Sequence, residues 1–166
     1  YRMQRFLVFL NPAVDSQGAS YHLNQALLAI GTGGWLGLGF GQSRQKYLYL
    51  PMPHTDSIIA IIAEELGFLR TSLVLLLFFI LAVKGFQIAK NAPDNFSRLL
   101  ATGITFWIII QTFINVASML NIMPMTGVPL PFISYGGSSL MILLAAVGIM
   151  LNISKASVKG QSYGKV

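Results

Sequence analysis

The sequence predicts an all-α integral membrane protein, with three transmembrane helices preceded by a large extracytoplasmic loop that holds short interfacial or re-entrant helices. Three observations lead there. Hydrophobic residues make up 54% of the 166-residue chain and charged ones 10%, against roughly 25% charged in soluble domains; mean hydropathy is +0.66. Three apolar runs approach the about 20 helical residues that cross a bilayer. The basic residues between those runs are distributed as the positive-inside rule requires.

Residues 1–56 form the predicted loop region. Tyr1 to Leu10 reads as a short amphipathic piece, and Asn11-Pro12 and Asp15-Ser16-Gln17-Gly18 are turn signals. Leu23 to Phe40 is apolar but rich in glycine, which fits a re-entrant helix, with a fourth span as the alternative. A loop this long suggests folded elements or function of its own. Tyr1 is not an initiator Met, so the chain is expected to be a piece of a longer protein.

Residues 57–153 carry the spans: the first within Ser57 to Val83, the second from Leu99 to Leu120, the third from Ser138 to Ile153. Lys84, Lys90 and Arg98 flank the first connection against one acid, Asp94, while the second connection, Asn121 to Pro131, carries no charge. The tail, 154–166, adds Lys155, Lys159 and Lys165. The first connection and the tail are therefore expected in the cytoplasm, and Asp56 and the Pro-rich connection outside. The net charge of +6 is spread along the chain rather than gathered in a stripe, which speaks against nucleic acid as a partner. There is no cysteine, so disulfides and thiolate metal sites are excluded.

Asp56 is the leading candidate for chemistry. It is one of five acids, and it stands where water gives way to hydrocarbon, so it could act on a substrate with a polar head and a lipid tail. Thr55 and Asp56 also precede an apolar helix and are good N-cap residues, a structural role weighed evenly against catalysis. His54 has no second His or Cys at metal-ligand spacing, so a zinc site is not expected. Glu64 lies about 12 Å along the helix from Asp56 and about 80° round it, and Glu65 faces nearly the opposite side. Acids at membrane depth usually face a protein interior or a cavity; the alternatives are an interfacial position or a structural ion pair with Arg70.

Gly33, Gly37 and Gly41 repeat at a small-xxx-small spacing, which favours close helix packing over a phosphate-cradling nest. Arg44 and Lys46 are candidate anion contacts, with interfacial snorkelling as the plain alternative. Gly127-Val128-Pro129-Leu130-Pro131 breaks regular structure at membrane depth, where such backbone is buried in protein or lines a cavity. Ser134-Tyr135-Gly136-Gly137-Ser138-Ser139 follows with small and hydroxyl residues.

Ala29-Ile30-Gly31-Thr32-Gly33-Gly34, Gln45-Lys46-Tyr47-Leu48-Tyr49-Leu50-Pro51, His54-Thr55-Asp56, Ala63-Glu64-Glu65-Leu66-Gly67 and the run from Met123 to Ser139 together resemble the SEDS family, whose branches are FtsW, RodA and SpoVE. Met125-Thr126-Gly127-Val128 and Tyr47-Leu48-Tyr49 look more like the FtsW branch than RodA. The resemblance runs through essentially the whole chain and implies the C-terminal portion of a protein of about ten spans. It implies a peptidoglycan glycosyltransferase that polymerises lipid II outside the bacterial cytoplasmic membrane, at the division septum for FtsW. Asp56 then matches the family's proposed catalytic acid. Many relatives carry an acid at the position of Met52, which leaves Asp56 less crowded by negative charge here. The implied partners are a class B penicillin-binding protein, other division proteins and the lipid bilayer.

A sugar hydroxyl is a poor nucleophile, so a positioned carboxylate can take its proton as the new bond forms. The departing pyrophosphate needs positive charge, from Arg44 and Lys46 or from a divalent cation. Other expected substrate contacts are His54, Thr55, Glu64, Glu65, Pro131, Ser134, Gly136 and Gly137; no metal ligand is assigned. A lipid transporter or flippase would also use broken helices and buried acids, and a non-catalytic division scaffold is the third reading.

Overall fold

The computed structural model describes residues 19–43 and 56–163, whose regular structure is helical, with no strand among them. The helices are α1 (Ala19–Gly33), α2 (Ile58–Lys90), α3 (Asn95–Met119) and α4 (Gly137–Tyr163). Three of them are long and apolar enough to cross a membrane: α2, α3 and the Gly137–Ser157 part of α4. At 15 residues, α1 reaches only about 22 Å, short of a 30 Å hydrocarbon core.

Several helix ends lie beyond the apolar runs. α2 continues past Val83 to Lys90, α3 starts at Asn95 rather than Leu99, and α4 runs past Ile153. Helical hydrogen bonds are local and do not stop where hydrocarbon ends, and lysine stems can follow the helix outward. Asp94 caps α3: its carboxylate accepts the Ser97 N–H and the Ser97 hydroxyl, both at 2.8 Å. These two bonds hold the Asp94 carboxyl below its ordinary pKa, the backbone one contributing most.

The described residues divide into two compact units. One contains 19–43, 56–75 and 111–135; the other contains 76–110 and 136–163. In the second, helices meet over small residues. A Cβ on Gly85 would fall 2.3 Å from Thr105 Oγ1 and 3.1 Å from Met150 Cε, so only glycine admits this contact between α2, α3 and α4. Ala89, Ala101 and Ile153 form a buried cluster beside it, and the Ser157 hydroxyl donates to the Asn91 carbonyl at 2.5 Å. With no hydrophobic force between helices in lipid, small residues that let backbones approach supply the packing.

The first unit is built around a break in α2. Gly67 has φ 77° and ψ 177°, a backbone that side chains rarely tolerate. In an unbroken helix Phe68 N–H would bond the Glu64 carbonyl, and Leu69 N–H that of Glu65. Here residues 34–39 take all four groups: Leu38 N–H donates to Glu64 at 3.0 Å and Gly39 N–H to Glu65 at 3.1 Å, while Gly34 accepts from Phe68 at 2.8 Å and Trp35 from Leu69 at 3.3 Å. Close approach by glycine was expected of helix against helix. Gly33, ending α1, does meet α2 at the Ala63 carbonyl, but Gly37 lies in a loop and Gly41 meets nothing within 4 Å among the described residues.

Candidate functional site: the turn at Asp56

Asp56 and Ser57 form the turn that opens α2. The Ser57 carbonyl accepts the N–H groups of Ala60 at 3.0 Å and Ile61 at 3.4 Å, which makes Ser57 the N-cap, just beyond Thr55 and Asp56, the two cap candidates of the sequence. Asp56 itself is half-buried. Its carbonyl accepts from the Asn115 amide of α3 at 2.9 Å. The Ser57 hydroxyl, fully buried, lies 2.9 Å from His22 Nε2 of α1.

The same Asn115 nitrogen donates to the Val128 carbonyl at 2.8 Å, and one turn earlier Gln111 donates to the Pro129 carbonyl at 2.9 Å. These bonds hold the Pro-rich segment that follows α3. That helix ends in a Schellman arrangement: Asn121 has φ 56°, Ile122 N–H bonds the Ala117 carbonyl at 2.9 Å, and Asn121 N–H bonds that of Ser118 at 3.3 Å. Further on, Leu130 N–H donates to the Ser134 hydroxyl at 2.7 Å, and Phe132 carries φ 63° inside a turn closed by Ile133 N–H on the Pro131 carbonyl at 2.8 Å. A positive φ on an aromatic residue is strained, and it is held here between two hydrogen bonds of its neighbours.

Glu64 and Glu65 are both buried, at 1% and 7% exposure, although as neighbours they point about 100° apart round the helix. The glycine loop and the packing of this unit cover both. Glu64 Oε2 accepts from the Ser43 hydroxyl at 2.5 Å, whereas Glu65 Oε1 has no hydrogen-bond partner among the described residues. Arg70, the expected counter-charge, is exposed and donates to the Leu36 carbonyl at 3.3 Å. Among the described residues no three His, Asp or Glu side chains converge as a metal set.

Of the residues singled out from sequence, Asp56, Glu64, Glu65, Pro131 and Ser134 belong to the first unit, with Pro131 buried and Ser134 engaged by Leu130. Gly136 and Gly137 belong to the second, where Gly137 opens α4. Arg44, Lys46, His54 and Thr55 lie outside the described residues. Sequence reasoning missed His22, Ser43, Ser57, Gln111 and Asn115. Gln111, Asn115 and Ser118 are polar residues at i, i+4 and i+7 in a mainly apolar helix, which is a stripe that faces protein.

The model for the FtsW/RodA/SpoVE cell cycle proteins matches residues 1–159. The chain belongs to this family. It is 49% identical over 157 residues to Stage V sporulation protein E of Bacillus subtilis, covering 95% of this chain and 43% of that protein. It is 46% identical over 154 residues to "Probable peptidoglycan glycosyltransferase FtsW" of Trichlorobacter lovleyi, covering 93% and 40%, and 47% identical over 153 residues to the Bacillus subtilis protein of that name, covering 92% and 38%. The chain thus spans about two-fifths of the length of these relatives. Among solved structures it resembles a chain of a peptidoglycan synthase complex described as coordinating polymerization and crosslinking, with TM-score 0.73, 29% identity and 95% and 42% coverage. It also resembles a mutant of the rod shape determining protein RodA of Thermus thermophilus, with TM-score 0.61, 35% identity and 78% and 39% coverage. Membership of the FtsW/RodA/SpoVE family agrees with three helices able to span a membrane.

Proposed function

We propose that this chain carries the catalytic portion of a membrane-embedded peptidoglycan glycosyltransferase that polymerises lipid II into glycan strands during bacterial cell division, with Asp56 as general base. The relatives named as peptidoglycan glycosyltransferases support the activity. The observation that carries the assignment of the base is the half-buried Asp56 turn at the start of α2, held by hydrogen bonds from both α1 and α3.

In this reading the Asp56 carboxylate accepts the proton of the acceptor sugar's 4-hydroxyl. The freed oxygen attacks the anomeric carbon of the donor, and the polyprenyl pyrophosphate leaves with the electron pair of the broken C–O bond, inverting that centre. Arg44 and Lys46 would receive the developing negative charge, and no step is routed through a metal ion. The reaction takes place on the extracytoplasmic face, at the septum. A class B penicillin-binding protein is the partner, a reading supported by the likeness to the synthase complex. Residues 1–166 alone are expected to make no polymer, because the rest of the relatives' length supplies other parts of the lipid groove.

The transporter reading has one feature in its favour, the break of α2 at Gly67. Residues 34–39 bond all four backbone groups at that break, which leaves its two N–H groups no hydrogen to offer a transported ligand.

The test is polymer formation from purified lipid II by the full-length protein and its Asp56→Asn variant, each with the partner present and transpeptidation blocked. Loss of about 10²- to 10⁴-fold in rate, with folding and partner binding retained, is expected. An unchanged rate would return Asp56 to a structural role in the turn.

A further inference from the structure

The Asp56 turn is gripped from two directions, by His22 at the Ser57 hydroxyl and by Asn115 at the Asp56 carbonyl. We infer that His22 and Asn115 are positioning residues for Asp56, a proposal that rests on the reading of Asp56 as base.

The chemistry of each contact defines what it does. Asn115 is completely buried, and its one amide nitrogen bonds two carbonyls, those of Asp56 and Val128. A carbonyl cannot donate, so the nitrogen must face them, and the reversed amide would set oxygen against oxygen. Both N–H groups are thereby spent joining the Asp56 turn to the Pro-rich segment. Asn115 Oδ1 has no hydrogen-bond partner among the described residues, so the bonds seen for this side chain are those of its nitrogen.

His22 acts on the next residue. Its Nδ1 lies 3.4 Å from the Met125 sulfur, which can only accept, so a bond there places the ring proton on Nδ1. Nε2 is then left to accept from the Ser57 hydroxyl. His22 and Ser57 are 9% and 0% exposed, so water does not easily replace a lost partner. Asn115 thus fixes the carbonyl of Asp56, and His22 fixes the residue after it. With its carbonyl and the following cap both held, the backbone that aims the Asp56 carboxylate has little freedom to rotate. A displacement of about 1 Å at a reacting group can cost about a hundredfold in rate.

The experiment compares the wild-type full-length protein with His22→Leu, His22→Gln, Asn115→Leu and Asp56→Asn, in complex with the partner. Steady-state lipid II polymerisation is measured together with hydrogen exchange over residues 56–61 and 95–110. Expected is a fall in kcat of about ten- to a hundredfold in His22→Leu and Asn115→Leu, with KM within about twofold. Exchange should quicken over 56–61 and stay unchanged over 95–110. His22→Gln, whose side-chain oxygen can still accept from Ser57, restores both kcat and slow exchange. A role in packing alone would show as a lower melting temperature with kcat and exchange over 56–61 unmoved, or as a Gln variant no better than Leu; either overturns the proposal. If exchange quickens as expected but Asp56→Asn still polymerises, the turn is held but is not the site of the base. That outcome refutes the general-base reading, and the positioning role with it.

Discussion

Gly37 and Gly67 cross backbone against backbone. A Cβ added to Gly67 would sit 2.3 Å from the Gly37 nitrogen, and one added to Gly37 would sit 2.6 Å from that of Gly67. Both residues have positive φ, 82° and 77°. This contact is what lets loop 34–39 replace the hydrogen bonds that α2 loses at its break.

Gly37→Ala and Gly67→Ala should therefore each destabilise the protein by about 3 kcal/mol or more, summing backbone strain and an unrelieved clash with main-chain atoms. Gly41→Ala is the control, since it shares a positive φ of 78° but meets no described residue within 4 Å; its cost should stay near 1–2 kcal/mol. Thermal unfolding of the three variants in one detergent would check this. Equal losses at positions 37 and 41 would mean that the crossing itself contributes little.

The Ser43 hydroxyl that meets buried Glu64 should matter more than a hydroxyl at an exposed partner. Ser43→Ala removes a donor from a carboxylate 1% exposed, for which a cost of about 1–3 kcal/mol is expected. Ser157→Ala removes a donor from the carbonyl of exposed Asn91, where water can take its place, so its effect should be about 1 kcal/mol or less. Melting temperatures of the two variants, measured side by side, give the comparison.

Asp94 provides a pH-dependent effect at the start of α3. Its folded pKa lies below the ordinary value because Ser97 stabilises the ionised form. The stabilisation is therefore complete above about pH 4, the ordinary carboxylate range, and is lost as pH falls through the lower folded value. Asp94→Ala should be less stable than wild type at pH 7, by hydrogen exchange of residues 95–100, and the gap should shrink at pH 3. A gap that stayed constant or widened on acidification would show that the carboxylate charge is not what caps α3.

Much of the fold was legible because the bilayer imposes its own dimensions. Runs of apolar residues long enough to cross hydrocarbon must be helices, since lipid offers the backbone no other partner. The three spans follow from that, as does the uncharged Pro-rich connection. Helix ends were less legible. α2 reaches Lys90 and α3 begins at Asn95 because capping by Asp94 and continuing backbone bonds set the ends, not hydropathy. The cap of α2 fell on Ser57 for a similar reason: only the observed carbonyl acceptors identify the first helical residue.

The sequence by itself determined the class of protein, its spans and the prominence of Asp56, because composition, run length and a rare acid are properties of the chain alone. Only the tertiary structure decided what holds Asp56. His22, Ser57 and Asn115 are separated by up to 93 positions in the chain, and no local pattern says that a histidine of α1 and an asparagine of α3 will meet one turn. Tertiary packing likewise decided that Glu64 and Glu65 are both buried and that the glycine loop mends the break at Gly67. Those outcomes depend on hydrogen bonds between distant segments, which form only when packing has excluded water from both partners.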